Sequence, residues 1–237
     1  MKHLFFISIT IALFTFVSSF CAANTKLEVG LDFASSFIND AAYEAFSSGE
    51  DLTMGHVGGQ LRLSLDTPWK HVQVAPLIGY LGAIDNGNPY SIIDTTLMLH
   101  ELFAGARVRG WLLSWMGVFA QVHGGLLLAY MQGKNSDYYV NDGKSGSFSA
   151  NDKTWFAGGL LGVEFRLSPK MLTRRHINRF NFGGWIGVGY NRRGNISFTP
   201  TADGDDKYTL DIRQSTDWGT INLSGFIIKT GLTVSFF

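Results

Sequence analysis

Side-chain catalysis needs a nucleophile, acid or base held against a partner, so histidines and paired carboxylates are weighed first. His56, His71, His100, His123 and His176 are scattered along the chain. His123 is the one histidine expected in mid-strand on a polar face. As a base it needs a carboxylate, and Glu101 and Glu164 stand on the two flanking segments. This trio is the catalytic candidate, weighed against a plain buried hydrogen bond. Asp205-Asp206 lies in a long polar segment without an adjacent His and reads as solvated loop. Asp203-Gly-Asp-Asp206 has the look of a calcium loop but lacks the remaining ligands and the closing Glu. No His or carboxylate cluster has metal-ligand spacing, and no cofactor is implied.

The elements that would position these groups follow from composition and pattern. Of 237 residues, 46% are hydrophobic and only 16% charged, against about 25% charged in soluble domains. Gly is abundant and the formal net charge is zero, without the basic excess of a nucleic-acid binder. Lys2 and His3 precede an apolar run from Leu4 to Phe20, followed by Cys21-Ala22-Ala23. This is the order of a signal peptide, expected to span residues 1–23 with cleavage after Ala23. Cleavage there removes the only Cys. No later run offers 18 consecutive apolar residues, so a mature chain that enters a membrane must cross it as strands closed into a barrel.

Period-two alternation supports that reading. Leu27, Val29, Leu31 and Phe33 alternate with Glu28, Gly30, Asp32 and Ala34. Seven further segments of about ten residues behave likewise, near 56–66, 72–80, 101–109, 118–128, 157–167, 179–190 and 226–236, the length a tilted strand needs to cross a bilayer. Pro76 argues against a fully regular third strand, and the opposite parity of Ile221 and Leu223 suggests a bulge near Gly225. Links at 67–70, 110–116 and 168–178 are shorter or more basic; those at 39–54, 85–96, 131–153 and 192–218 are longer and polar. Trp69, Trp111 and Trp115 would form one interfacial belt and Tyr80, Tyr130, Trp155 and Tyr190 the other. The expected fold is all-β: a closed antiparallel up-and-down transmembrane β-barrel of about eight strands over residues 24–237, with ten if the longest loops hide a hairpin.

A Leu, Val and Phe face meets lipid without cost, so the other face should be the interior. It would carry a lumen charge network of Glu28, Asp32, Arg62, Asp66, Glu101, Arg107, Arg109, Glu164, Arg166, Arg179 and Lys229. Eight strands leave a lumen just wide enough to be filled by side chains. Inward glycines would make room for Trp185 and Phe103.

With this pattern the chain resembles the small outer-membrane β-barrel superfamily, which includes the membrane domain of outer membrane protein A. Gly231-Leu-Thr-Val-Ser-Phe-Phe237 resembles the terminal strand recognised by the barrel-assembly machinery, although its apolar residues fall at even positions counted back from Phe237, where that family uses odd ones. The resemblance implies a bacterial outer-membrane location, with outer-membrane lipid and the assembly machinery as partners. Loops bearing Tyr138-Tyr139 and Trp218 are the expected place for a surface ligand, since loops on a rigid scaffold often carry recognition. Some small barrels are enzymes. The lipid A deacylase family uses the His-x-Ser pair absent here, and the outer-membrane protease family uses Asp–Asp and Asp–His pairs. Three functions therefore stand side by side: a non-enzymatic structural or surface-interaction barrel, a small-solute pore, and a lipid-modifying enzyme.

Overall fold

The structure, a computed structural model, describes residues 25–47, 53–69, 71–87, 93–135, 147–167, 180–198, 201–202 and 220–236. The expected signal peptide (residues 1–23), Arg179, His176, Tyr138-Tyr139, Asp203-Gly-Asp-Asp206, Trp218 and Phe237 lie outside them.

Eight long strands form the wall: β1 (Lys26–Ile38), β2 (Thr53–Asp66), β3 (Val72–Gly87), β4 (Ile93–Trp111), β5 (Met116–Asn135), β6 (Ser147–Arg166), β7 (Phe180–Arg193) and β8 (Gly225–Phe236). Each pairs antiparallel with its sequence neighbour, and β1 pairs with β8 from Leu27↔Phe236 to Ile38↔Gly225. The sheet is a closed eight-stranded barrel, so the band that all eight strands share has no edge. Connections at 67–71, 112–115 and 167–179 lie at one end, the short-turn end; those at 39–52, 88–92, 136–146 and 194–224 lie at the other, the long-loop end. Among the described residues no helix is long and apolar enough to cross a membrane.

Alternation sorts the side chains as the sequence pattern implies. Leu27, Leu31, Val57, Leu61, Ile78, Leu102, Val122, Leu126, Leu161, Val188, Phe226 and Leu232 project outward and are exposed, while Glu28, Asp32, Arg62, Glu101 and Arg107 point inward and are buried. The strands run further than a bilayer crossing needs: β4 has 19 residues and β5 and β6 have 20 each. The added length is at the long-loop end, so parts of the expected loops 85–96 and 131–153 are strand. There the polarity of the two faces inverts. On β4, Leu97 and Leu99 point inward while Thr96 and His100 point outward; on β5, Ala129 and Met131 point inward while Gln132 and Lys134 point outward. Outward polar and inward apolar residues suit a wall surrounded by water, so the inversion marks where the strands leave the apolar zone.

The irregularity expected at Pro76 is confined to one side of β3. Pro76 faces out opposite Ala106 of β4 in an unbroken ladder; towards β2 the ladder keeps its register but is interrupted between Arg62↔Leu77 and Leu65↔Val74, beside a residue that has no N–H to donate. Two local expectations are corrected. No bulge lies near Gly225: β8 begins there, and Ile221 and Leu223 belong to a cap outside the strand. Trp111 does not join the belt of exposed Trp69 and Trp115 but turns inward, donating through Nε1 to Gln73 Oε1 at 2.9 Å.

The cap covers the long-loop end. A six-residue helix, α1 (Ala41–Phe46), starts at Asp40, whose carboxylate accepts from the Ala42 and Tyr43 amides at 3.0 and 3.1 Å. It places Tyr43 and Phe46, both fully buried, against Met54, Leu97, Leu99, Met131, Ile196, Phe198, Ile221 and Leu223. The Tyr43 hydroxyl donates to Asp85 Oδ2 at 2.5 Å.

Candidate functional site

The interior is the candidate site, because every charged group of the expected network that the structure describes points into it. Nearest the short-turn end, the Arg166 guanidinium lies 3.3 Å from the centre of the Trp111 ring, and Gln73 links Trp111 to Asp66 by donating from Nε2 at 2.5 Å. Asp66 and Arg166 are half-buried there.

The next layer is a five-membered ion cluster. Arg109 donates to both Glu28 oxygens at 2.9 Å and to Glu164 Oε1 at 2.8 Å. Arg107 donates to Glu164 Oε2 at 3.1 Å, while Arg62 lies 3.4 Å from Glu28 and 3.6 Å from Glu164. Ser64 donates to Glu28 at 2.6 Å, and Gln121 Oε1 accepts from two Arg107 nitrogens at 3.0 and 2.7 Å. Fully buried charges persist only where such partners replace water.

Above this layer the lumen is crossed by rings. The Arg107 guanidinium sits 4.0 Å from the Phe119 centroid and 4.4 Å from the Trp185 centroid, two cation–π contacts in a desolvated setting. A Cβ at Gly231 would run into the Trp185 indole, one at Gly79 into the Phe103 ring, and one at Gly162 into the Phe119 ring, so those glycines open the space the rings occupy. Lys229 pairs with Asp32 at 2.9 Å, and Gln60 donates to the other Asp32 oxygen at 2.9 Å.

The final polar layer lies beneath the cap. Glu101 is held by Arg193 at 2.6 Å, and Arg193 also donates to the Leu223 carbonyl at 2.5 Å, tying cap to wall. Ser36 Oγ lies 2.9 Å from His56 Nε2.

The structure does not assemble the catalytic trio. Among the described residues no hydrogen bond joins His123 to Glu101 or Glu164. Glu101 is occupied by Arg193 and Glu164 by arginines of the ion cluster, while the His123 ring packs on Phe103 and Phe156 at centroid distances of 5.5 and 6.0 Å. His123 is also not the one lumen histidine: His56 is inward and buried as well, on the same face as Gln60 and Arg62. Arg193 stands outside the expected network because the polar stretch from residue 192 reads as a loop, whereas the strand runs to Arg193. The signal was present: the odd, inward parity of Asn181 and Trp185 continues to Arg193. Among the described residues no group of three His, Cys, Asp or Glu is placed to hold a metal ion.

An eight-stranded closed barrel with apolar residues outside and ion pairs inside is the fold of small outer-membrane barrels. Among solved structures, the chain is similar to Neisserial surface protein A, with 9% identity over 90% of this chain and 96% of that one and a TM-score of 0.41. It is also similar to Ail, the attachment invasion locus protein of Yersinia pestis (11% identity, 89% and 96% coverage, TM-score 0.38). A third likeness is to a major outer membrane protein of Thermus thermophilus (14%, 89% and 98%, TM-score 0.39). No family model matches the chain, and neither does any curated protein.

Proposed function

We propose that the chain is an integral protein of the bacterial outer membrane with a sealed lumen, acting as a structural or surface-interaction barrel through its long-loop end. One observation carries this reading: buried ion pairs and aromatic rings cross the interior under an apolar cap, inside a wall whose outer face is apolar. An apolar outer face belongs in acyl chains, and an eight-stranded lumen filled by side chains has no room for a continuous water column. Residues 1–23 then serve as the export signal, and the segment ending in Phe237 as the strand presented to the barrel-assembly machinery. The long-loop end faces outward, since outer-membrane barrels keep their short turns in the periplasm, and its loops are where a surface ligand would bind.

Planar-bilayer recording of the purified, refolded chain tests the seal. The expected result is an electrically silent bilayer; a stable, reproducible unitary current favours the small-solute pore instead. Among the described residues the interior pairs no histidine with a carboxylate, and unchanged lipid A and phospholipid in an overexpressing strain is the expected outcome.

A further inference from the structure

The polar layer beneath the cap holds two buried titratable rings that the sealing of the lumen does not require. His56 of β2 is 2% exposed, with Nε2 2.9 Å from Ser36 Oγ of β1. His123 of β5 is 9% exposed and packs on Phe103 and Phe156. The Nδ1 atom of each ring is buried without a hydrogen-bond partner. Glu101 of β4, Arg193 of β7 and Lys229 of β8 lie close enough to act electrostatically on both rings, and Asn191 of β7 also faces His123. The other described neighbours carry no charge: Ser36 on β1, Ala83 opposite His56 on β3, Phe156 on β6 and the apolar side chains of the cap.

With both rings neutral this layer is balanced, Arg193 on Glu101 and Lys229 on Asp32. A proton on either ring adds a third cation. Of the Glu101 oxygens, Oε1 holds Arg193 and Oε2 is buried without a hydrogen bond, so one charged ring can be answered there and a second cannot. An unpaired buried charge is costly. Arg193 is the shared point, because the guanidinium that holds Glu101 also donates to the Leu223 carbonyl, the link from wall to cap. A ring that takes over Glu101 draws on that link. A ring left unpaired is relieved by water, which enters when the cap lifts. Both routes release the same element.

We propose that the cap is an acid-released seal: protonation of His56 and His123 frees the segment held by Arg193 and admits water to the layer beneath. Release of this kind presupposes the sealed lumen proposed above. The rings are neutral while the cap is closed and charged once it is open. Opening therefore takes up protons, so the open fraction grows as pH falls below about 6.5, the ordinary value for histidine, and is suppressed above it.

The test is hydrogen exchange of the full mature chain in lipid nanodiscs at about pH 7.5 and about pH 5, a window that charges histidine and stays above the ordinary carboxylate range. Rates are converted to protection factors, which removes the intrinsic pH dependence of exchange. The expected result is a fall of at least about tenfold in protection at the α1 amides, the effect of one proton over one pH unit, while the wall amides of Val122 and Leu161 keep theirs. The double variant His56→Gln, His123→Gln should show no such fall. Unchanged α1 protection in the native chain overturns the proposal, and so does a fall that persists in the double variant. Should that variant fail to fold, the ring proton shifts of the native chain decide. Rings that titrate together with the loss of cap protection support the release, and rings that stay neutral through it overturn it. Bilayer recording at about pH 7.5 keeps the two readings apart. A unitary current there defeats the sealed lumen, whereas a silent bilayer with pH-independent cap protection defeats the release alone.

Discussion

Glu164 is the residue on which the ion cluster turns. It accepts from Arg107 and Arg109 and faces Arg62, so Glu164→Gln leaves three buried guanidiniums against Glu28 alone. Removing one partner of a buried pair costs about 3–5 kcal/mol, and urea unfolding from lipid vesicles should show a loss of that size. Lys153→Ala, at an exposed outward position, should change stability by less than about 0.5 kcal/mol in the same assay. Gly231→Val probes packing rather than charge. Its side chain would enter space held by the Trp185 indole and Asp32, and overpacking of this kind costs about 1–3 kcal/mol. Most of these inward residues were legible from parity, because side-chain direction on a strand alternates without exception inside a regular ladder. Which carboxylate meets which arginine was not legible. Pairs such as Arg109 with Glu28, 81 residues apart, are set by barrel closure and strand stagger, which the sequence does not display.

At the scale of elements, the wall and the cap answer to different solvents. Leu161 points outward, five residues from the short-turn end of β6 and 66% exposed. If acyl chains surround it, Leu161→Arg costs about 2–4 kcal/mol, the range for a cation on the lipid face near the midplane. The cap predicts a different response. Phe46 is fully buried in a cluster that continues down the inner wall, and Phe46→Ala should cost about 3–5 kcal/mol of local stability. Hydrogen exchange should then speed up at the amides of α1 while those of β5 and β6 stay protected. All eight strands were legible as alternating runs. The upper parts of β3 to β6 were not, because beyond Glu101 on β4 the inward residues become Leu97 and Leu99 while Thr96 and His100 face outward, so the run of one apolar face stops there. The cap escaped for a related reason: Ile196, Phe198, Ile221 and Leu223 lie outside the barrel strands, in stretches too short to show a period.

The molecule as a whole carries two hydrophobic surfaces: a band on the outer face of the wall and a cluster inside the long-loop end. Among the described residues charge lies in the lumen between them or beyond the band, as at outward Lys134 and Lys153 on the upper strands. A soluble sandwich would need a second layer over Val122, Leu161, Val188 and Leu232, and the closed sheet supplies none. The most direct measurement is accessibility of single nitroxide labels in bilayers to oxygen, which partitions into acyl chains, and to a water-soluble nickel chelate. Labels at Val122, Leu161 and Val188 should be relaxed strongly by oxygen and hardly by nickel, while a label at inward Gln121 should be shielded from both. Strong nickel relaxation at the three outward positions, or protection of those positions from both reagents, would contradict the account.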